Sequence, residues 1–148
     1  FWFDIFYLIA LSIQKTYWAI VENAPHKAHG RLEHYLIKNQ KKNKSYAYFK
    51  PQTGALKAVL NFKTLKHLDR YTLLEVKPIS GRHHQIRVQL SAINSIIKGD
   101  LKYGAKRSNK DKSISLHARE INFIHPVKKE MIKICAPPPK NPIWKACL

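Results

Sequence analysis

The sequence predicts an α+β fold, in which a mixed, mainly antiparallel sheet packs against at least one helix. Short runs of β-forming residues, separated by turn residues, occupy most of the chain. One stretch has a helical period instead, because Ile86, Leu90, Ile93 and Ile97 recur at spacings that place them in one stripe of a helix. The 148 residues are the size of a domain with its own core, so we expect residues 1–148 to form one domain or part of one.

The predicted strands follow one another along the chain, with turn residues at the breaks. Residues 15–21 alternate polar and β-forming side chains and end at Asn23-Ala24-Pro25. Residues 55–65 and 71–76 are typical of a hairpin with its turn at 66–70. The other predicted strands are residues 30–38, 45–49, 115–123 and 130–135, the last pair being closed by the prolines at 137–139.

The predicted helix follows Ser80-Gly81. Serine is a favourable N-cap residue, and glycine permits a tight turn from strand to helix. Polar side chains, among them His83 and Arg87, line the face beside the apolar stripe. Since free backbone N–H groups at a helix start attract anions, this basic first turn is expected to accept a phosphate.

Residues 1–13 form an apolar segment of uncertain origin. They are too few to span a bilayer, include Asp4, and lack the basic region and cleavage site of a signal peptide. The only methionine is Met131, so we expect the chain to be a piece of a longer or processed protein.

The charge balance indicates a polyanionic partner. Lys and Arg number 27 against 9 Asp and Glu, which gives a formal net charge of +18. Basic and aromatic residues are interleaved, which favours a nucleic acid over a merely basic protein. An anionic membrane is disfavoured because no long basic amphipathic helix is evident.

No metal site is predicted. Cys135 and Cys147 lack metal-ligand spacing and suggest no disulfide framework, which fits a reducing cytoplasm. His26 and His29 lie in a proline-containing loop without a nearby cysteine, so we interpret them as solvated side chains.

Four ordered motifs resemble a known family. Residues 80–87 read SGRHHQIR and residues 98–104 read KGDLKYG, which are similar to the GRxHQIR and GDxxYG signatures of RluA-type RNA pseudouridine synthases. Upstream, residues 15–21 (KTYWAIV) match the family's KxYxAxV strand. Downstream, residues 116–119 (LHAR) and 123–126 (FIHP) match its LHA and FxHP pair. The region that resembles the family is residues 14–139, and the resemblance implies the catalytic fold of these enzymes in part.

The resemblance also implies roles for single residues. Tyr17 would stack on the target base and serve deprotonation at C5, Arg87 would pair with a catalytic aspartate, and Leu116 would form an apolar wall for the base. For each residue a structural role is the alternative: a core tyrosine, a surface arginine and a core leucine.

RNA contacts are expected on both sides of the helix. The motif position implies phosphate contacts for three residues at the start of the helix: Arg82, His84 and Gln85. The alternative is that they hold the loop that carries the catalytic aspartate in this family. A basic run after the helix is predicted to follow the RNA backbone, although a solvated loop is compatible with it: Lys98, Lys102, Lys106, Arg107, Lys110 and Lys112.

The catalytic aspartate has no match in the chain. The family carries it in an HRLDxxTSG loop ahead of the KxYxA strand, whereas His67-Leu68-Asp69-Arg70 follows that strand and lacks the Ser-Gly. We interpret Asp69 as a turn residue, and Asp4 has no matching context. Arg87 is therefore expected to carry an uncompensated charge, so that its replacement by Met or Leu stabilises the chain.

The sequence thus predicts an inactive piece of a cofactor-free, monomeric RNA pseudouridine synthase acting on rRNA or tRNA, with rRNA preferred. A non-catalytic RNA-binding module with the same fold is the first alternative. A structural component of a ribonucleoprotein, which rests on charge alone, is the second.

Overall fold

The computed structural model describes residues 13–148, so Asp4 and all but the last residue of the apolar segment lie outside it. Seven strands form one sheet in the order β3-β2-β4-β5-β1-β6-β7, and each pair of neighbours is antiparallel. The strands are β1 Gln14–Val21, β2 His29–Asn39, β3 Lys44–Tyr48, β4 Leu56–His67, β5 Thr72–Pro78, β6 Leu116–Ile124 and β7 Met131–Cys135. The predicted mainly antiparallel sheet is confirmed.

Helix α1, Gln85–Ala92, covers one face of this sheet. Its Ile86 and Leu90 pack on Ala19 and Val21 of β1 and on Leu74 of β5, together with other buried residues of β4 and β5. Burial of each large aliphatic side chain contributes about 1.5–3 kcal/mol, so this layer fixes α1 against the centre of the sheet.

Helix α2, Pro142–Cys147, covers the opposite face and was not predicted. Trp144 and Cys147 pack against Ile20 and Leu73. Asn141 caps this helix, because its side-chain oxygen accepts a hydrogen bond from the backbone N–H of Trp144 at 3.2 Å. The Asn-Pro pair is a helix-start signal, which the preceding run of prolines obscured.

The start of α1 differs from the prediction. The helix begins at Gln85, and His84 in the N-cap position has a left-handed backbone with φ of 53°. Ser80 caps nothing in the helix. Its hydroxyl accepts from the N–H of Val59 at 2.8 Å and donates to Oε1 of Gln85 at 2.9 Å. Residues 80–84 therefore form a turn that is bound to β4.

The end of α1 also comes earlier than the apolar stripe implies. The helix ends at Ala92, and Ile93 lies in the C-cap position. Ile97 is 1% exposed, but it is buried through a bridge to Val21 of β1 and not through a helix face. No helix within residues 13–148 has the length and apolar character needed to cross a membrane.

Candidate active site

A cavity of about 570 Å³ opens where β1, the end of β5, the turn at 79–84, the start of α1 and the start of β6 meet. It is lined by Ile13, Lys15, Tyr17, Pro78, Ile79, Ser80, Gly81, Arg82, His84, Gln85, Ile86, Arg87 and Leu116. The structure thus brings together six residues for which the motifs predicted site roles: Tyr17, Arg82, His84, Gln85, Arg87 and Leu116.

Tyr17 and Leu116 form the sheet side of the cavity. Tyr17 lies opposite Val76 of β5 and Ala118 of β6, and it is half-buried. The register between β1 and β6 shifts between Thr16 and Tyr17, and such an irregularity re-aims the side chain that follows it. Leu116 is half-buried opposite Ala19, so a planar ring and an aliphatic side chain face the same space.

Arg87 on α1 forms a bidentate ion pair with Asp100. Its Nε donates to Oδ2 at 2.7 Å and its Nη2 donates to Oδ1 at 2.8 Å. The two side chains are 18% and 1% exposed. The hydrogen bond to Asp100 raises the pKa of Arg87. The expectation of an uncompensated charge at Arg87 is therefore wrong, because Asp100, the third residue of the KGDLKYG segment, already supplies the carboxylate.

His84 connects Arg87 to Tyr103. Arg87 Nη1 lies 3.1 Å from Nε2 of His84, and Nδ1 of His84 lies 2.9 Å from the hydroxyl of Tyr103. Because a guanidinium can only donate, Nε2 must accept, and the ring proton is therefore on Nδ1 and is donated to Tyr103. The cationic group of Arg87 also lies over the Tyr103 ring, 4.9 Å from its centroid.

This geometry requires a neutral His84. Burial, followed by the positive charge of Arg87, lowers the pKa of His84 to about 4. At neutral pH the imidazole is then uncharged, as acceptance from Arg87 demands. Tyr103 is 5% exposed, and its hydroxyl also accepts from the N–H of Ser45 on β3 at 2.9 Å. Arg87 is thus fixed from three sides, and β3 is part of its support.

Gln85 holds the turn that forms the rim of the cavity. Its Oε1 accepts from the N–H of Arg82 at 3.0 Å, and its Nε2 donates to the carbonyl of Val59 at 2.9 Å. At 4% exposure it is a wall residue. Arg82 also lines the cavity, is exposed, and donates from its Nε to the carbonyl of Lys57 at 3.2 Å.

The basic run after α1 does not line the cavity. Lys98 donates to Oδ1 of Asn109 and lies 5.5 Å from the centroid of the Tyr71 ring, so its ammonium group serves the loop that follows. Lys102 donates to the carbonyl of Asn43 at 3.1 Å. Lys106 and Arg107 are exposed. RNA binding by these four residues stays a prediction.

Asp100 and Tyr103 are the residues that the sequence reasoning missed. Both lie in KGDLKYG, which was quoted as a signature and given no chemistry. The backbone explains its glycines: Gly99 has φ of 85° and would place a Cβ 2.7 Å from both Asn109 and Ser113, and Gly104 has φ of 109°. A loop this constrained holds the carboxylate and the phenol in fixed positions.

No carboxylate lines the cavity within residues 13–148. Asp69 is exposed in the turn at 68–71, between β4 and β5. The cavity lies at the Pro78 end of β5, six residues beyond Thr72, which is roughly 20 Å of extended strand. The interpretation of Asp69 as a turn residue is confirmed.

Glu120 is the carboxylate of a neighbouring cavity. That cavity has a volume of about 240 Å³ and shares Lys15 and Tyr17 with the first. Glu120 pairs with Lys133 at 2.9 Å and accepts from Asn122 at 2.8 Å. The Lys133 hydrogen bond, with that of Asn122, lowers its pKa to about 2. The carboxylate oxygens of Glu120 are thus already bound by Lys133 of β7 and by Asn122.

Comparison with known proteins gives consistent matches. The family model described as RNA pseudouridylate synthase matches residues 6–92. Ribosomal large subunit pseudouridine synthase C of Buchnera aphidicola is 35% identical over 134 aligned positions, which cover 85% of this chain and 42% of the relative. tRNA pseudouridine synthase C of Vibrio parahaemolyticus is 29% identical, covering 80% of this chain and 55% of the relative.

Among solved structures, human RNA pseudouridylate synthase domain containing 1 superposes with a TM-score of 0.74 at 24% identity. The match covers 98% of this chain and 62% of that one, and it shows a shared fold. The chain spans about two fifths to a little over half the length of the curated relatives named above.

Proposed function

Because this chain belongs to the RluA-type family of RNA pseudouridine synthases, we propose that it supplies the tyrosine and arginine of a centre that converts uridine to pseudouridine in structured RNA. The observation that carries the proposal is the convergence of Tyr17, Arg87 and Leu116 on one cavity, although they lie far apart in sequence. A volume of about 570 Å³ falls in the usual range for small-molecule pockets and is sufficient for one nucleotide.

The reaction breaks the bond between N1 of uracil and C1′ of its ribose, turns the base and joins C1′ to C5. The proton on C5 is lost, and N1 gains one. The target must first leave its stack, which costs a few kcal/mol and is offset by new stacking and phosphate contacts. In our proposal Tyr17 provides the stacking face and serves the C5 proton, and Leu116 closes the apolar side.

Arg87 acts in this proposal as a fixed cation at the end of the cavity. A guanidinium has five N–H donors. Asp100 takes one on Nε and one on Nη2, and His84 takes one on Nη1. One N–H on each terminal nitrogen therefore remains for an acceptor in the cavity, such as the carboxylate that acts on the ribose. No cofactor is required.

We propose further that this carboxylate comes from a segment outside the 148 residues. The absence of any acid from the cavity lining within residues 13–148 supports this, as does the engagement of Asp100 and Glu120 elsewhere. Without the acid, a permanently charged guanidinium and a neutral phenol do not supply a nucleophile at neutral pH. The chain alone is then expected to be inactive.

The substrate proposed first is ribosomal RNA, in line with the name of the Buchnera relative, and transfer RNA is the alternative that the name of the Vibrio relative suggests. The place of action proposed is the cytoplasm, which agrees with two free cysteines, one exposed and one buried. Monomeric action is proposed as well.

The test is tritium release from RNA labelled at C5 of uridine. It is run with this chain, with Asp69→Asn, with Glu120→Gln, and with a longer protein that adds an HRLD-type loop ahead of residue 1. We expect release only from the longer protein, and its loss in the Tyr17→Phe and Arg87→Lys variants. Release by this chain that disappears in Asp69→Asn or Glu120→Gln contradicts the proposal. The rival RNA-binding module predicts RNA binding without release from every version.

A further inference from the structure

A basic surface continues from the mouth of the cavity to the end of the β2–β3 hairpin. We call it the hairpin surface and define it as Lys38, Lys44, Arg82, His83 and Lys102. These residues come from three separate segments: the hairpin, the turn before α1, and the short 3₁₀ helix Leu101–Tyr103.

Hydrogen bonds join the hairpin to the turn. The hydroxyl of Ser45 donates to the carbonyl of His83 at 2.8 Å, and Nε2 of His83 lies 3.1 Å from Oδ1 of Asn43. Lys102 donates to the carbonyl of the same Asn43. The three segments therefore form one surface of fixed shape.

The hairpin surface is continuous with the cavity. The ring of His83 stacks on that of His84 with 3.8 Å between centroids, and both Arg82 and His84 line the cavity. A strand that places one nucleotide in the cavity would thus meet the hairpin surface with its neighbouring nucleotides.

The charges of this surface lack compensating acids. Residues 34–68 contain no Asp or Glu, and Asp100 is the only one in residues 76–110. Asp100 is buried against Arg87. Within the part of the chain that the structure describes, no ion pair involves Lys38, Lys44, Arg82 or Lys102. Burial, and next the charges of Lys38, Arg87 and Lys102, hold the pKa of His83 below its usual value.

We infer that the hairpin surface binds the phosphate backbone of the RNA that flanks the nucleotide in the cavity. Clustered lysines and arginines without acidic partners are the usual electrostatic footprint of a nucleic-acid backbone. The inference rests on the proposed function for the identity of the RNA. It keeps Arg82 and Lys102 from the sequence prediction and adds Lys38, Lys44 and His83, which that prediction did not include. Lys98 is half-buried and donates to Asn109, whereas Lys38 and Lys102 are exposed. Lys102 donates to the carbonyl of Asn43, and its ammonium group has two further N–H donors.

The test compares two triple variants that remove equal charge. Lys38→Gln/Lys44→Gln/Lys102→Gln removes the hairpin cations, and Lys106→Gln/Arg107→Gln/Lys110→Gln is the matched control on the exposed loop. For each, the affinity for a structured RNA is measured over a salt series. Since each phosphate contact contributes about 0.7–0.9 to the slope of log affinity against log salt, the hairpin variant is expected to lose about 2 to 3 in slope. The control is expected to lose less than one contact.

A slope that falls as much in the control as in the hairpin variant overturns the inference, and so does a wild-type chain that binds no RNA. If thermal melting shows the triple variant to be unfolded, Lys38→Glu decides instead, because Lys38 is exposed. This variant should bind RNA several-fold more weakly at low salt, and unchanged affinity overturns the inference.

Vesicles of anionic phospholipid form a further arm. If the triple variant loses vesicle binding but keeps the RNA slope, the surface serves a membrane and the inference fails. The inference and the proposed function can be refuted independently of each other. A longer protein with the HRLD-type loop that binds RNA through this surface but releases no tritium refutes the function alone.

Discussion

Breaking the ion pair between Arg87 and Asp100 should destabilise the chain from either side. Asp100 is 1% exposed and its two oxygens accept from Arg87, so Arg87→Met leaves a buried carboxylate without a cation. Removal of one partner of a buried pair costs about 3–5 kcal/mol. This reverses the stabilisation that the sequence alone suggested for the same substitution.

The two single variants should differ in size. Asp100→Leu leaves a guanidinium that is 18% exposed and still contacts His84 and the Tyr103 ring, so water and these neighbours compensate part of the loss. We therefore expect Arg87→Met to be the more harmful change. The double variant replaces the pair by apolar side chains of similar volume and should lose less stability than either single variant.

Urea unfolding of the four proteins measures these differences, with unchanged m values as the sign that the midpoints report stability. A loss of 3 kcal/mol corresponds to a melting temperature lower by roughly 6–12 °C for a chain of this size. A melting temperature of Arg87→Met equal to or above that of the wild type would refute the reasoning, because Asp100 would then not depend on Arg87.

Three further predictions follow from the site and its loop. RNA affinity of the wild type should fall steeply with salt because of the net charge of +18, and a flat salt series in filter binding would contradict it. The pKa of His84 is lowered to about 4 in the folded chain. As the pH falls from 6.5 towards 4, this histidine therefore takes up a proton in the unfolded chain but not yet in the folded chain. Stability should therefore decrease in that window, and it should decrease less in His84→Asn, as followed by melting at stepped pH. Gly99→Ala should cost on the order of 2 kcal/mol because of its φ of 85° and its contacts at 2.7 Å. Gly54→Ala is the control: φ there is 77° with nothing within 4 Å, and an equal loss would mean that crowding is irrelevant.

Local pattern was sufficient for the strands, because alternation and turn residues decide which segments extend, whatever they pack against. All seven observed strands overlap the predicted ones, with ends displaced by a few residues. The start of α1 was not predictable in this way. Ser80 has the chemistry of an N-cap, but Val59 and Gln85 compete for its hydroxyl, and both contacts arise only when the turn lies on β4.

The same distinction applies to the residues of the candidate site: those in local motifs were identified, and those that depend on distant contacts were not. Tyr17, Arg87 and Leu116 were identified from motifs, and the structure places them in one cavity. The partner of Arg87 was not identified, because Asp100 lies 13 residues away in a loop whose path depends on the left-handed backbone of Gly99. The role of Ser45 depends on a hairpin 58 residues before Tyr103, a distance over which no local pattern acts.

The sheet order has a consequence for how the chain is assembled during synthesis. β1 pairs with β5 on one side and with β6 on the other, and its partners in β6 lie about a hundred residues further along the chain. A growing chain can therefore pair β2, β3, β4 and β5 early, whereas one edge of β1 stays open until β6 has left the ribosome. Tyr17 and Leu116 meet only at that step, so the cavity closes after most of the sheet has formed. An open strand edge invites wrong pairing in the meantime. The cost of building this cavity from distant strands is a nascent chain that is exposed to aggregation until nearly all of it has been made.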